Sequence, residues 1–244
     1  MHALREYRLL VRWQALRLKG FIPLAIVIQA VFAFGIVVGY PLLMPEVDQV
    51  TILFLATGAP AVALVTMGLV ALPQVVAQAR TEGSLEYMRS LPVPRLAYLA
   101  ADLTVWLLIV VPGVAFAVLV GAWAFGLQLD VSLAIVPATL LVAVTSAAIG
   151  YALASILPPM IAMLVTQLLV FGVLVFSPLL FPASRLPEWL QTVHDWLPVE
   201  AAGEVLRSSL ASSTFPLSTG PFILLGAWCV ACLGIAYVSL QRRG

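Results

Sequence analysis

The residues able to do acid–base, metal or nucleophilic chemistry are few and scattered. His2 and His194 are the only histidines, Cys229 and Cys232 the only cysteines, and Lys19 the only lysine. A metal centre needs His, Cys, Asp or Glu clustered at ligand spacing. Cys229-x-x-Cys232 has no second pair and lies inside an apolar run, where two small buried residues on one helix face is the simpler reading. His194-Asp195 could begin a general base and its orienting partner, but no serine or cysteine nucleophile motif accompanies it. The chain holds no Gly-x-x-x-x-Gly-Lys, so it cannot cradle a nucleoside triphosphate in a phosphate loop of its own. No catalytic residue, metal or bound cofactor is therefore expected of this chain.

The elements around these residues belong to a bilayer. Of 244 residues, 63% are hydrophobic and 9% charged, against roughly 25% charged in a soluble domain. A membrane-crossing helix needs about 20 apolar residues. Runs of that kind are Phe21–Met44, Val50–Val76, Leu103–Phe125, Val131–Leu157, Met160–Pro182 and Pro221–Leu240. No charge occurs between Asp130 and Arg185, a stretch that fits two helices with a tight turn at Pro158-Pro159. The first run exceeds a signal-peptide core of about 7–15 residues, and five more spans follow it. The fold expected is all-α and polytopic, with six transmembrane helices.

Basic residues set the orientation. Six spans place both termini on one side, together with Arg5, Arg8, Arg12, Arg17, Lys19, Arg80, Arg89, Arg95, Arg242 and Arg243. Only Arg185 and Arg207 fall on the other side, along with most of the acidic residues. Both termini are therefore expected in the cytoplasm, in a cell membrane. His2 and His194 then lie on opposite sides. The span middles carry no charge, which argues against proton coupling through a buried carboxylate. The milder set Gln29, Thr57, Thr66, Thr139, Thr145, Ser146, Thr166 and Gln167 reads mostly as helix–helix contacts or back-bonded hydroxyls. No nucleic-acid partner is expected.

Three segments outside the spans are informative. Residues 1–20 read as an amphipathic helix at the cytoplasmic leaflet, with Arg5, Arg8, Arg12 and Lys19 on one face and Leu4, Tyr7, Val11 and Leu18 on another. The loop 79–95 follows the second span. Gly83 breaks the incoming helix, Ser84 can cap a new one, and Glu86 suits its positive end. Leu85, Met88 and Leu91 form an apolar stripe, with Glu82, Glu86 and Arg89 beside it, until Pro92 and Pro94 stop the helix. Segment 183–220, between the fifth and sixth spans, predicts two short amphipathic helices. Pro187 suits a helix start, and Trp189, Val193 and Trp196 share a face. After Pro198, Glu200, Glu204 and Arg207 share one face, Leu206 and Leu210 another. Tryptophan-rich helices of this kind belong at the bilayer interface.

Glu82-Gly83-Ser84-Leu85-Glu86 followed by Leu91-Pro92-Val93-Pro94-Arg95 resembles the cytoplasmic loop of ABC-2-type transporter permeases. So do the arm, the six spans and the outer segment Leu186-Pro187-Glu188-Trp189-Leu190, Leu197-Pro198, Glu204-Val205-Leu206-Arg207. Val199-Glu200-Ala201-Ala202 departs from a more polar, tyrosine-containing stretch in many members. The resemblance implies that the loop is a coupling helix docking on a separate ATPase, present in two copies, which carries ATP and Mg. It also implies that the outer helices are re-entrant and gate the outer mouth through Trp189, Val193, Trp196, Glu200, Glu204 and Arg207.

One six-span chain encloses too little for a pathway, so a second permease chain, identical or paralogous, is expected. Gly35-x-x-x-Gly39 is a candidate packing face for it. The reading is an exporter subunit for a lipophilic or amphipathic substrate such as a drug, natural product or lipid, working by alternating access. Beside it stand an exporter of glycans or lipid-linked saccharides, an ion-coupled carrier and a polytopic membrane enzyme.

Overall fold

A computed structural model describes residues 2–42, 48–83, 95–126 and 129–242. The described chain is helical and contains no strand. We number its helices α1 (His2–Arg17), α2 (Phe21–Leu42), α3 (Gln49–Thr81), α4 (Arg95–Phe125), α5 (Ile135–Ile156), α6 (Pro159–Phe176), α7 (Glu188–His194), α8 (Pro198–Leu210) and α9 (Thr219–Arg242). Six of these, α2 to α6 and α9, are long and apolar enough to cross a membrane. Helices α3 and α4 run beyond the apolar stretches, because the polar turns flanking those stretches stay helical.

Local sequence explains the helix ends and irregularities. The Asp48 carboxylate accepts from the Thr51 N–H at 3.2 Å and caps α3. At its other end, Gly83 takes a positive φ of 72° and turns the chain away. One π-helical turn interrupts α2 at Gly35–Gly39 and another interrupts α3 at Met67–Ala71. Each lies just before a proline, Pro41 or Pro73. Proline cannot donate to the carbonyl four residues back and crowds it, and a wider turn relieves both problems. The Pro158-Pro159 pair ends α5 at Ile156 and opens α6 at Pro159, as the sequence predicts.

Helices α3 and α5 form the centre. Their apolar windows are 67% and 61% buried, against 17% for α6. They touch backbone to backbone: a Cβ on Gly150 would strike the Gly68 carbonyl, and one on Gly68 would strike Ser146. Small residues permit such contact between membrane helices. Trp106 and Tyr151 fill the bundle around it. Helices α2 and α6 turn Phe34, Leu164, Leu168 and Phe171 outward.

Most buried polar side chains of the spans close locally or across to a neighbour. The hydroxyls of Thr57, Thr66 and Ser146 donate to carbonyls four residues earlier. Gln29 donates to the Ile109 carbonyl at 3.1 Å and Thr145 to the Leu225 carbonyl at 3.3 Å, joining α2 to α4 and α5 to α9.

The arm α1 packs on the start of α4. The buried residues of the arm are Leu10, Gln14 and, just past α1, Leu18; Leu18 is on the apolar face that the sequence suggested, but Leu10 and Gln14 are rotated from it, and Tyr7 and Val11 are only half-buried. The cause is polar. Asp102, 8% exposed, accepts from Gln14 Nε2 at 2.9 Å, and the Tyr7 hydroxyl lies 2.6 Å from the Thr104 hydroxyl. Docking on these groups outweighs a wholly apolar contact. At the same end of the bundle, Arg80 Nη1 donates to the carbonyls of Ala154 at 2.7 Å and Leu157 at 3.0 Å. It thereby satisfies carbonyls that the end of α5 leaves open.

Candidate functional site

At the opposite end of the bundle, α7 and α8 cover the mouths of α3, α5 and α6. Pro187 opens α7, whose outward side carries Trp189 and Val193, with Trp196 in the turn that follows; Trp189 is 69% exposed and Trp196 74%. His194 ends the helix and turns inward, 6% exposed. The Trp228 indole N–H of α9 donates to the Trp196 carbonyl at 3.0 Å and ties the α7–α8 corner to the bundle. On the other flank, the Ser132 N–H donates to the Ser209 carbonyl at 2.9 Å, and the Ser212 hydroxyl donates to Asp130 at 3.0 Å.

The three charged residues of α8 have different surroundings. Glu204 is exposed and Glu200 half-buried, while Arg207 is only 6% exposed. The sequence placed all three on one face; in the structure the far end of that face runs under the helix. Gly203 allows this, since a Cβ there would stand 2.7 Å from the Leu179 side chain. One turn later the Arg207 guanidinium lies 3.5 Å from the Phe54 ring centre and 5.7 Å from that of Phe215. Its Nη2 donates to the Leu179 carbonyl at 3.1 Å. Arg207 thus staples α8 to the start of α3 and to the chain leaving α6.

Burial dominates the electrostatics. It pushes the Glu200 carboxyl up to about 7, helped by the charges of Glu204 and Asp195 and opposed by Arg207. Glu204 is raised for the same first reason. Burial lowers Arg207 to about 10, with Glu204 and Glu200 opposing, so it stays charged at neutral pH. Burial also lowers His194, against the pull of the Phe176 carbonyl and Asp195.

Two cavities open here. An apolar one of about 800 Å³ lies between α5, α6 and α7 and is lined by Leu69, Ile149, Leu168, Val173, Trp189 and Trp228 among others. A smaller one of about 470 Å³ is lined by Asp195, Trp196, Glu200, Glu204 and the start of α9. His194 lines both. Among the described residues no group of His, Cys, Asp or Glu could hold a metal ion.

The remaining sequence candidates are placed as follows. Gly35 and Gly39 lie on the outer side of α2, where an added Cβ would meet nothing within 4 Å among the described residues. The tight glycine contact inside the chain is instead Gly68 on Gly150. Its sequence signal was the small-x-x-x-small spacing Ser146 to Gly150, which went unread. Glu82 accepts from Gln78 Nε2 at 2.7 Å, and Gly83 ends α3. Ser84, Leu85, Glu86, Met88, Arg89 and Leu91 lie outside the described residues. Sequence reasoning missed Arg80 as a cap and His194 as a shared cavity wall. A lone arginine or histidine gives no periodic signal, and neither partner is near in sequence.

The fold defines a polytopic α-helical membrane protein whose cavities lie among its spans, the architecture of a membrane transporter subunit. Residues 4–211 match the ABC-2 type transporter family, and the chain belongs to it. It is an ABC permease subunit, of a family that works in association with an ABC ATPase. No curated protein matches the chain.

Proposed function

We propose that this permease subunit serves an exporter of a lipophilic or amphipathic substrate, released at the α7–α8 end. The observation that carries this reading is the apolar cavity of about 800 Å³ beneath α7 and α8. A volume of that order suits a drug-sized molecule, and its lining offers few polar groups to a glycan. The basic-residue asymmetry supports an orientation with both termini in the cytoplasm. Two ATPase copies, carrying ATP and Mg, would dock on the loop after Gly83, whose Leu85, Met88 and Leu91 stripe needs cover. A second permease chain, identical or paralogous, would complete the pathway, with the open Gly35 and Gly39 side of α2 as a candidate contact. In alternating access, ATP binding closes the ATPases and opens the spans outward, and hydrolysis resets them. The helices α7 and α8 then act as re-entrant gate elements, with Val193 toward lipid, Trp189 and Trp196 at the rims of the two cavities, and Arg207 as the anchor.

The test is ATP-dependent uptake of a fluorescent lipophile into inverted vesicles holding the chain and its ATPase. The double variant Leu85→Asp, Met88→Asp should abolish uptake and co-purification while leaving membrane insertion intact. Burial of such side chains contributes roughly 1.5–3 kcal/mol each, and interface energy concentrates in a few anchors. Uptake driven by an ion gradient without the ATPase would overturn the reading.

A further inference from the structure

His194 stands in the wall between two cavities of opposite character. On one side is the apolar cavity lined by α5, α6 and α7; on the other, the smaller one lined by Asp195, Glu200 and Glu204. Arg207 is the cation whose charge acts on Glu200 and Glu204, but its guanidinium is turned to the Phe54 ring and the Leu179 carbonyl. The α9 residues lining the small cavity, Gly220, Pro221 and Leu224, bring no charge. Three carboxylates therefore face one engaged guanidinium, and the cavity is acidic.

Two buried atoms at this place have no hydrogen-bond partner among the described residues: His194 Nδ1 and Glu200 Oε2. Buried polar atoms are rarely left so, and an unpaired one at a cavity asks what completes it. A carboxylate oxygen only accepts, and a neutral imidazole accepts at one nitrogen. Burial keeps His194 neutral at pH 7. A ligand completing both therefore brings N–H or O–H donors, and in an acidic cavity a positive charge. Trp196 lines the same cavity with an aromatic surface, which also attracts cations.

We propose that the two cavities form one site for an amphipathic cation, its apolar body in the large cavity and its ammonium group among Asp195, Glu200 and Glu204 beside His194. This inference rests on the export reading above and names its substrate class. An anionic amphiphile is repelled by the carboxylates, and a neutral alcohol brings one O–H donor for two acceptors and no charge to offset the carboxylates. An arriving ammonium also favours the ionised form of Glu200, which burial otherwise holds near neutrality.

The experiment titrates the full chain in nanodiscs with dodecylammonium, dodecanol and dodecanoate, reading tryptophan fluorescence and subtracting empty nanodiscs. These probes share an apolar chain and differ in head charge. Dodecylammonium should bind about tenfold more tightly than dodecanol, as expected for hydrogen bonds to a charged group, with dodecanoate weakest. Glu200→Gln should bring the cation-to-neutral affinity ratio close to one, and Glu200→Asp should restore part of it. Glu204→Gln, on the exposed side of the same cavity, should lower the ratio less. Equal affinity for dodecylammonium and dodecanol overturns the proposal and makes the cavity a general lipid site. A ratio unchanged in both glutamine variants overturns it as well. Either result leaves the export reading standing if ATP-driven uptake of a neutral lipophile persists. Charge-selective, Glu200-dependent binding in a chain that supports no ATP-driven uptake of any lipophile would uphold the site and remove the exporter.

Discussion

At the α1 end of the bundle, Gln14 is answered by Asp102, Tyr7 by Thr104, and Arg80 by two carbonyls at the end of α5. At the α7–α8 end, His194 Nδ1, Glu200 Oε2 and Arg207 Nε have no partner among the described residues. Both ends bring polar groups out of water, so both incur a desolvation cost. At the first end the polar groups serve as joints, holding the arm and the hairpin in one arrangement. At the second, part of the hydrogen-bonding capacity is left over, and with it an incentive to rearrange or to take a ligand. The gate proposed for α7 and α8 needs two arrangements of similar free energy, and a fully satisfied network would favour one of them. The surplus at the α7–α8 end fits an element that moves; the closed network at the α1 end fits one that transmits motion rigidly.

The strongest challenge to this contrast is Arg207→Ala. Arg207 touches Phe54, Phe215 and the Leu179 carbonyl, and it offsets Glu200 and Glu204. Its loss leaves a hole under α8 and two carboxylates without the cation whose charge acts on them. The loss of a desolvated cation–π contact costs about 2 kcal/mol, and that of a hydrogen bond from a charged group a further ~1.5–3 kcal/mol. The thermal midpoint of the purified chain should fall further than for any variant below. A small drop would mean that α8 is held mainly by its apolar side, Leu206 and Leu210.

Next in size is Asp102→Ala, which strands the Gln14 amide in a buried contact and should cost about 1–3 kcal/mol. Asp102→Asn keeps an acceptor for Gln14 and should lose much less. If the two variants are equally damaging, charge rather than the hydrogen bond holds the arm, and the α1 end is not the hydrogen-bonded joint described above. Tyr7→Phe removes one hydroxyl from the same seam. It should cost about 1 kcal/mol, near the typical net value of one hydrogen bond, because Thr104 can still donate to the Ala100 carbonyl at 2.7 Å. Denaturation of the three variants in one detergent would rank them.

How far the sequence reaches differs between these ends for physical reasons. The spans were legible because a bilayer demands long apolar runs, and Pro158-Pro159 and Gly83 punctuate the chain through their own backbone geometry. The helical starts at Pro187 and Pro198 were legible on the same ground. The burial of Arg207 was not. Helical spacing tells which residues share a face, but what covers that face depends on Phe54, Leu179 and Phe215, which lie far away in sequence. The rotation of α1 has the same origin: hydrophobicity ranks Val11 above Gln14, and only the position of Asp102 reverses the order. The two cavities that meet at His194 are lined from six separate helices, and no local pattern encodes them. Family membership was readable because the loop, the spans and the α7–α8 segment occur in a fixed order, which a short motif alone does not guarantee.

The smallest expected effect concerns pH. Glu200 stands near 7 in the folded chain against an ordinary 4.5. A carboxyl with a raised folded-state value binds protons more tightly folded than unfolded, so its contribution to stability is present below 4.5 and is lost as pH rises through about 7. Glu204 is raised in the same sense. His194 works the other way: its folded value is depressed, so stability falls as pH drops through its ordinary 6.5 and below. The two opposing effects overlap between 4.5 and 6.5. Above 6.5 an unfolded histidine is already mostly neutral, so the carboxyls outweigh His194 and the thermal midpoint should decline as pH rises from there to about 8. The decline should be modest, because solvent reaches half of Glu200 and screens its neighbours. Glu200→Gln should flatten most of it, leaving the smaller contribution of Glu204, while Tyr7→Phe should shift the whole curve without changing its slope. A wild-type midpoint that rises across this window would reverse the sign for the α7–α8 cluster. Glu200 would then be an ordinary solvated carboxylate with a better partner than its surroundings supply, and the difference between the two ends would lie in packing alone.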